Sequence, residues 1–258
     1  MDAIVTAGGI PTPDEALYEY TQGQSKALIE IAGKSMIQWV FDALSGAETI
    51  ENVVVVGLEN GDGLTCEKPI YYIPNQGGMI ANAQAGARKV QELNPQTEYV
   101  MAVSSDIPTI TSEMIDWAVQ EAMQTRGDIY YFVVSRETME ARFPGSNRSF
   151  YQLKDLAVCG ADMHISTIHT LLDEEGLFAR ISDARKNAFK QARIIGLSTF
   201  FHFLFRTKTL DKLAEHILKR IHLTGRAVLS PYAEVAMDVD KPHQLEQLRA
   251  DLEGKAAA

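Results

Sequence analysis

Cysteine is almost missing from this chain. Cys66 and Cys159 stand alone among 258 residues, too few and too far apart for a disulfide framework or a zinc knuckle. Both are expected to be reduced and structural. The six histidines show no HxxxH or HExxH spacing, so the helical zinc signatures are absent as well. They read as surface or satisfied core residues.

Positive charge is also short. Lys and Arg number 24 against 34 Asp and Glu, a formal net charge of −10. Wide contact with a phosphate backbone needs a basic face, so no nucleic-acid partner is expected and small molecules are the better ligands. Long apolar runs are missing too. A membrane-spanning helix needs roughly 18 such residues, and the densest stretch, 197–205, is broken by Ser198, Thr199 and His202. The start, Met1-Asp2-Ala3-Ile4, has no basic lead, which predicts neither a signal nor a transit peptide and a cytoplasmic location.

What is present is an alternation of apolar strands and amphipathic helices. Residues 3–6, 53–57, 70–73 and 99–103 are short buried-strand runs rich in β-branched and aromatic side chains. Helical periodicity occupies 35–44, 82–93, 112–124 and 209–221, and a final helix is marked by Leu245, Leu248 and Leu252. Such alternation predicts a three-layer α/β/α, Rossmann-like fold around a mainly parallel mixed sheet, with ligands at the carboxyl ends of the strands. One domain over 1–254 is expected: a nucleotide-binding part to about 135, an acceptor-side part to about 232, a metal-binding return with the last helix, and a short tail at 255–258. The pattern loosens from about 136, where 142–149 reads as a loop and 150–153 as a strand.

Three features carry chemistry. Ala7-Gly8-Gly9 follows the first strand, and a glycine turn lets backbone N–H groups approach phosphate oxygens because no Cβ intervenes. Asp106 follows the fourth strand within Ser104-Ser105-Asp106-Ile107-Pro108. Asp238 and Asp240 lie in Asp238-Val239-Asp240-Lys241-Pro242. Magnesium is satisfied by one or two carboxylates plus phosphates and waters, so Asp106 and Asp240 are candidate Mg²⁺ (or Mn²⁺) ligands, with Asp238 either a ligand or a supporting carboxylate. Each aspartate taken singly also fits a turn or helix-entry role.

Lys26 lies between the glycine loop and the Gly33-Lys34 turn, where a compact ammonium would offset charge on a leaving pyrophosphate. Gln76, Gly77, Gly78 and Asn82 follow the third strand. Their amides carry both donors and acceptors, as a base edge requires, and the glycines leave room for a ring. A glycine turn capping a helix at Asn82 is the plainer alternative.

The segment Ile4-Val5-Thr6-Ala7-Gly8-Gly9 and the stretch 25–37, with Lys26, Leu28, Gly33, Lys34, Met36 and Ile37 in register and Ser35 where proline is usual, resemble the nucleotidyltransferase superfamily of glycosyltransferase-A type fold. Most nearly they resemble its MobA-like, molybdenum-cofactor guanylyltransferase-like members. Asp106 and Asp240 match the two acidic positions that hold magnesium in those relatives. The resemblance spans most of 1–135 and returns at 233–252. It implies a magnesium-dependent enzyme of the EC 2.7.7 type that moves a nucleoside monophosphate from an NTP to a phosphorylated small acceptor, with catalysis by Lys26, Asp106 and Asp240, nucleotide binding by Ala7, Gly8, Gly9 and the 76–82 loop, and pyrophosphate release.

The chain departs from that pattern where relatives carry a loop arginine. Residues 10–25 contain no Arg or Lys and include Asp14, Glu15 and Glu19. Lys186, Lys190 and Arg193 share a helical face and are candidates for the phosphate of the acceptor or of the nucleotide, with a solvated helix face as the plainer reading. The aromatic stretch 197–205 calls for a cover: a core helix first, then a homodimer contact or a lid over an apolar acceptor, and last a membrane surface, which the net charge disfavours. Two other functions stay open, a glycosyltransferase using a nucleotide sugar and a non-catalytic nucleotide-binding module. No GxGxxG follows the first strand, which argues against a dinucleotide oxidoreductase.

Overall fold

The computed structural model describes residues 1–173 and 207–256. Ten strands and eight α-helices follow one another in these residues. In chain order they are β1 (Asp2–Thr6), α1 (Tyr18–Thr21), β2 (Glu30–Ile31), β3 (Lys34–Ser35), α2 (Met36–Gly46), β4 (Val53–Val56), β5 (Ile70–Ile73), α3 (Met79–Leu93) and β6 (Tyr99–Ser104). There follow α4 (Ser112–Ala122), β7 (Ile129–Ser135), α5 (Arg136–Arg142), β8 (Tyr151–Gln152), β9 (Ala157–Thr167), α6 (Ile168–Leu172), α7 (Leu210–Ile221), β10 (Gly225–Ser230) and α8 (Pro242–Ala256).

Eight strands form one sheet in the order β10-β7-β9-β6-β1-β4-β5, with β8 paired to β9. The ladders β6-β1-β4-β5 and β7-β10 are parallel, and β9 runs antiparallel to its neighbours. Alternate residues of the same strands enter different cores. Ala3, Val5, Val53, Val55, Met101 and Val103 face the core that includes α2 and α4, whereas Ile4, Val54, Val56 and Val100 face α3 and α6. That two-sided burial is why β1 and β4 read as unbroken apolar runs, and it makes the molecule the expected mixed-sheet, three-layer α/β/α structure.

Several local expectations are corrected. The helix expected from Asn82 starts at Met79, so Asn82 lies within its first turn rather than capping it. Arg142 closes a helix that was read as loop, and the strand expected over 150–153 shrinks to two residues. Of the apolar face expected for α7, only Leu213 is buried. The last helix takes in residues 255–256 of the expected tail.

Strands β7, β9 and β10 were not assigned from sequence, although β7 is an apolar run, Ile129 to Val134. In β9 the partly covered Gly160, Asp162 and His164 alternate with buried Cys159, Ala161, Met163 and Ile165, so the strand has a polar face and a mixed composition. The β7–β9 register shifts between Tyr131 and Val133. There the Phe132 N–H is satisfied by His164 Nδ1 at 3.2 Å, and the His164 ring stacks on Tyr131 at 4.2 Å. Burial pushes the imidazole down to about 4, so this histidine is neutral and structural near pH 7.

Parallel ladders align the carboxyl ends of β1, β4, β5 and β6 along one edge. The glycine loop, Gly57, the 74–78 loop and Asp106 all leave the sheet there. None of the helices among the described residues is long and apolar enough to cross a membrane.

Candidate active site

The glycine loop is held from three sides. The Ala7 N–H donates to the Val56 carbonyl (2.8 Å), and the Ala7 carbonyl accepts the Ser25 hydroxyl at 2.6 Å. The Lys26 N–H donates to the Gly9 carbonyl at 2.9 Å. Ser25 also caps the short 3₁₀ turn Lys26–Leu28 by accepting from the Ala27 N–H. Lys26 is thereby carried on the loop itself, its stem lying across Gly9.

On the other flank, Asn75 Nδ2 donates to the Gly8 carbonyl (3.0 Å), and Asn75 Oδ1 accepts the Gly77 N–H (2.9 Å). Asn82 Oδ1 accepts the Gln76 N–H at 2.7 Å. A Cβ on Gly8 would lie 2.5 Å from Asn82 Nδ2 and 2.9 Å from Asn75 Oδ1, so glycine is required for these two loops to close on one another. Asn82 is buried and braces the loop, while Gln76 and Gly77 are exposed. Asn75 was not among the residues picked from sequence. Its part is visible only once β1 and β5 are placed in one sheet, one on each side of β4.

Asp106 sits just past the end of β6, buried, with Oδ1 accepting the Ser104 hydroxyl (2.5 Å) and Oδ2 at 2.5 Å from Lys26 Nζ. Ile107 behind it is fully buried, which turns the carboxylate out of the ladder toward the loop. In the return segment Val239 is fully buried between the two aspartates. The flanking carboxylates of Asp238, buried, and Asp240, exposed, both reach the same place. The Asp240 and Lys241 N–H groups are both taken by Gln244 Oε1 (3.0 and 2.9 Å) at the start of α8.

The result joins mid-chain and tail. One oxygen each from Asp106, Asp238 and Asp240 lie within 4.8 Å of one another. Lys26 Nζ reaches Asp240 Oδ1 at 2.8 Å in addition to Asp106. Burial alone would push this ammonium down, but the carboxylates of Asp106 and Asp240 outweigh it and lift the group above its ordinary value.

Two further residues complete the cluster, and neither was picked from sequence. Arg148, in the loop after α5, pairs through Nη1 with Asp238 Oδ1 and lies 3.5 Å from Asp162 Oδ2. Asp162, on β9, is pushed up to about 7 by burial and by the negative charge of Asp106 and Asp240, against the pull of Arg148 and Lys26. A lone Arg in a loop and a lone Asp in a polar strand carry no sequence signal of their own. Lys186, Lys190, Arg193 and the aromatic stretch 197–205 lie outside the described residues.

A glycine loop at the carboxyl ends of the parallel strands, with a lysine and carboxylates beside it, is the setting of a nucleotidyltransferase. The model of the MobA-like NTP transferase domain matches residues 3–215, and the chain belongs to that family. Among solved structures, a hypothetical transferase from Thermus thermophilus is similar at 27% identity and a TM-score of 0.81, over 95% of this chain and 98% of that one. A CMP:2-keto-3-deoxy-manno-octonic acid synthetase complexed with CTP shares the fold at 14% identity and a TM-score of 0.60, over 99% and 100% of the two chains. So does a 4-diphosphocytidyl-2C-methyl-D-erythritol synthase from Anaerococcus prevotii, at 12% identity and 0.57, over 98% and 95%. No curated protein matches in sequence.

Proposed function

We propose that the protein is a magnesium-dependent enzyme, built as one catalytic unit, that transfers a nucleoside monophosphate from an NTP to the phosphate of a small acceptor and releases pyrophosphate. The observation that carries this reading is the meeting of Asp106, Asp238 and Asp240 beside Lys26 and the glycine loop. A sugar phosphate, a polyol phosphate or a phosphorylated cofactor precursor has the required nucleophile. The two free cysteines suit the reducing cytoplasm.

The donor set fits a hard divalent cation. All the ligating atoms are carboxylate oxygens, the class that suits Mg²⁺ or Mn²⁺. Among the described residues, Asp106, Asp162, Asp238 and Asp240 are paired with two cationic side chains, Lys26 and Arg148, so the ionised cluster has an excess of negative charge that a divalent ion balances. Asp106 and Asp240 would hold it, with Asp238 as a third donor. When bound, the ion neutralises phosphate charge as a Lewis acid.

The chain's own residues do the rest by position and charge. Backbone N–H groups of Gly8 and Gly9 face the triphosphate, and Gln76, Gly77 and Gly78 face the base, in a loop held by Asn75 and Asn82. An acceptor phosphate oxygen attacks the α-phosphorus in line, the bond from that phosphorus to the bridging oxygen breaks, and its electron pair leaves with pyrophosphate. Lys26 balances the charge that builds on the leaving group. A phosphate monoester is already a competent nucleophile, so no Ser-His or Cys-His pair is needed.

The test is a pyrophosphate-release screen of four NTPs against pooled phosphorylated acceptors, with Mg²⁺, with Mn²⁺ and with EDTA. Release that EDTA stops and Mg²⁺ restores is the expected result. Silence with every NTP would overturn the reading. The Asp238-Val239-Asp240 motif within the acidic cluster also suits a nucleotide-sugar glycosyltransferase, which would release a nucleoside diphosphate instead.

A further inference from the structure

Among the described residues, Lys26 and Arg148 are the cationic side chains paired with the acidic cluster, and they come from different parts of the chain. Lys26 belongs to the glycine loop, through its N–H to Gly9 and its stem across that residue. Arg148 belongs to the stretch between α5 and β8. That stretch is fixed against the start of α8, where Ser146 is fully buried and its carbonyl receives His243 Nε2 at 3.2 Å. Its far end is clipped by Arg136 lying 4.5 Å over the Phe150 ring. The guanidinium is thus delivered to the cluster by a braced loop, with its side chain only 15% exposed.

Its donors are under-used. A guanidinium has five N–H donors in a planar fork. Here Nη1 meets Asp238 and Nη2 stands 3.5 Å from Asp162 Oδ2, longer than an ordinary hydrogen bond. The buried Nε–H has no oxygen acceptor, and the guanidinium's other neighbour is the weakly accepting Cys159 thiol. Transfer between two phosphorylated substrates requires two sets of negative oxygens to approach each other, and the loop with Lys26 is committed to the first. A planar, permanently charged fork is the matching partner for the second.

We infer that Arg148 anchors the acceptor's phosphate, exchanging its contact with Asp238 for two phosphate oxygens as Asp238 turns to the divalent cation. This rests on the transfer reaction proposed above, and it places the acceptor on the β8–β9 side of the carboxylates. Arg148 then acts as a specificity residue: the acceptor must have a phosphate, not merely a hydroxyl.

Calorimetry on the full chain tests this without turnover. A non-hydrolysable NTP analogue, one for each base in turn, is titrated in with Mg²⁺, and inorganic phosphate is then titrated into the complex. Arg148→Ala should weaken phosphate binding by roughly tenfold or more while analogue affinity stays within about twofold. Lys26→Ala should do the reverse. Arg148→Lys, which keeps the charge and the fold but loses the fork, should give an intermediate phosphate affinity, and serves if the alanine variant melts early. Unchanged phosphate affinity in both Arg148 variants, equal loss of analogue and phosphate, or no phosphate binding by the parent complex would overturn the assignment. Failure of every analogue to bind the parent protein would instead sink the proposed reaction, and phosphate titration with Mg²⁺ alone would still judge Arg148.

Discussion

The main-chain N–H of Val239 donates to the carbonyl of Asp106 across 3.1 Å. Through that bond the return segment is tied to the end of the central strand, and the side chains on either side of Val239 come up beside Asp106. With Val239 buried, the backbone positions of the three aspartates are set by that bond and by core packing. The backbone that carries the three carboxylates is thus fixed before any ligand arrives.

Asp106→Asn and Asp240→Asn should each lower NTP-dependent pyrophosphate release by at least about a hundredfold, the scale seen when one electrostatic stabiliser is removed from a site. Asp106→Asn keeps the shape that Ser104 contacts, so its melting temperature should remain near that of the parent. Rates at saturating NTP, beside a thermal melt, separate lost chemistry from lost fold.

Gly57→Ala should damage the nucleotide loop from behind. Gly57 has φ +121°, and a Cβ there would lie 2.2 Å from the Gly8 nitrogen. Left-handed strain and the clash together should cost about 2 kcal/mol or more. Urea unfolding reads the stability, and titration of the NTP analogue should show weaker binding even where the variant is folded.

Two buried titrations oppose each other. Asp162 has its pKa raised to about 7, so its contribution to stability is fully present below about pH 4 and is lost as pH rises through 7. His164 has its pKa lowered to about 4, so its contribution is present above about pH 6.5 and is lost as pH falls toward 4. In EDTA-treated protein, Asp162→Asn should therefore raise the urea midpoint above pH 7 and leave it nearly unchanged at pH 4. The variant's stability should fall more steeply on acidification than the parent's, because the opposing term is gone.

Arg142 holds the last helix. It pairs with Asp251 through two bonds of 2.6 and 2.7 Å and with Glu234 at 2.8 Å, while lying over Phe143. Arg142→Met keeps the packing and removes the charge, and should cost about 1–2 kcal/mol once partial exposure is allowed for. Asp251→Asn should cost less, and the double variant should fall short of the sum, as equilibrium unfolding in urea would show.

How much was legible depended on where each side chain points. Strands β1, β4 and β6 are buried on both faces, so their apolar runs and the turn chemistry after them showed in sequence. Strand β9 was hidden because its Gly160, Asp162 and His164 face a half-covered side. Asn82 fitted a base reader by its functional groups, yet its partner is the Gln76 N–H, a choice made by packing.

By itself the sequence determined the alternating fold, the glycine loop, Lys26 and the acidic residues at 106, 238 and 240, because each is a local pattern written in neighbouring residues. Only the tertiary structure decided that the carboxylates converge, that Lys26 bridges Asp106 and Asp240, and that Arg148 and Asp162 join them. Those relations depend on strand order and on a main-chain bond between Val239 and Asp106, and contacts between residues far apart in the chain leave no periodicity to read.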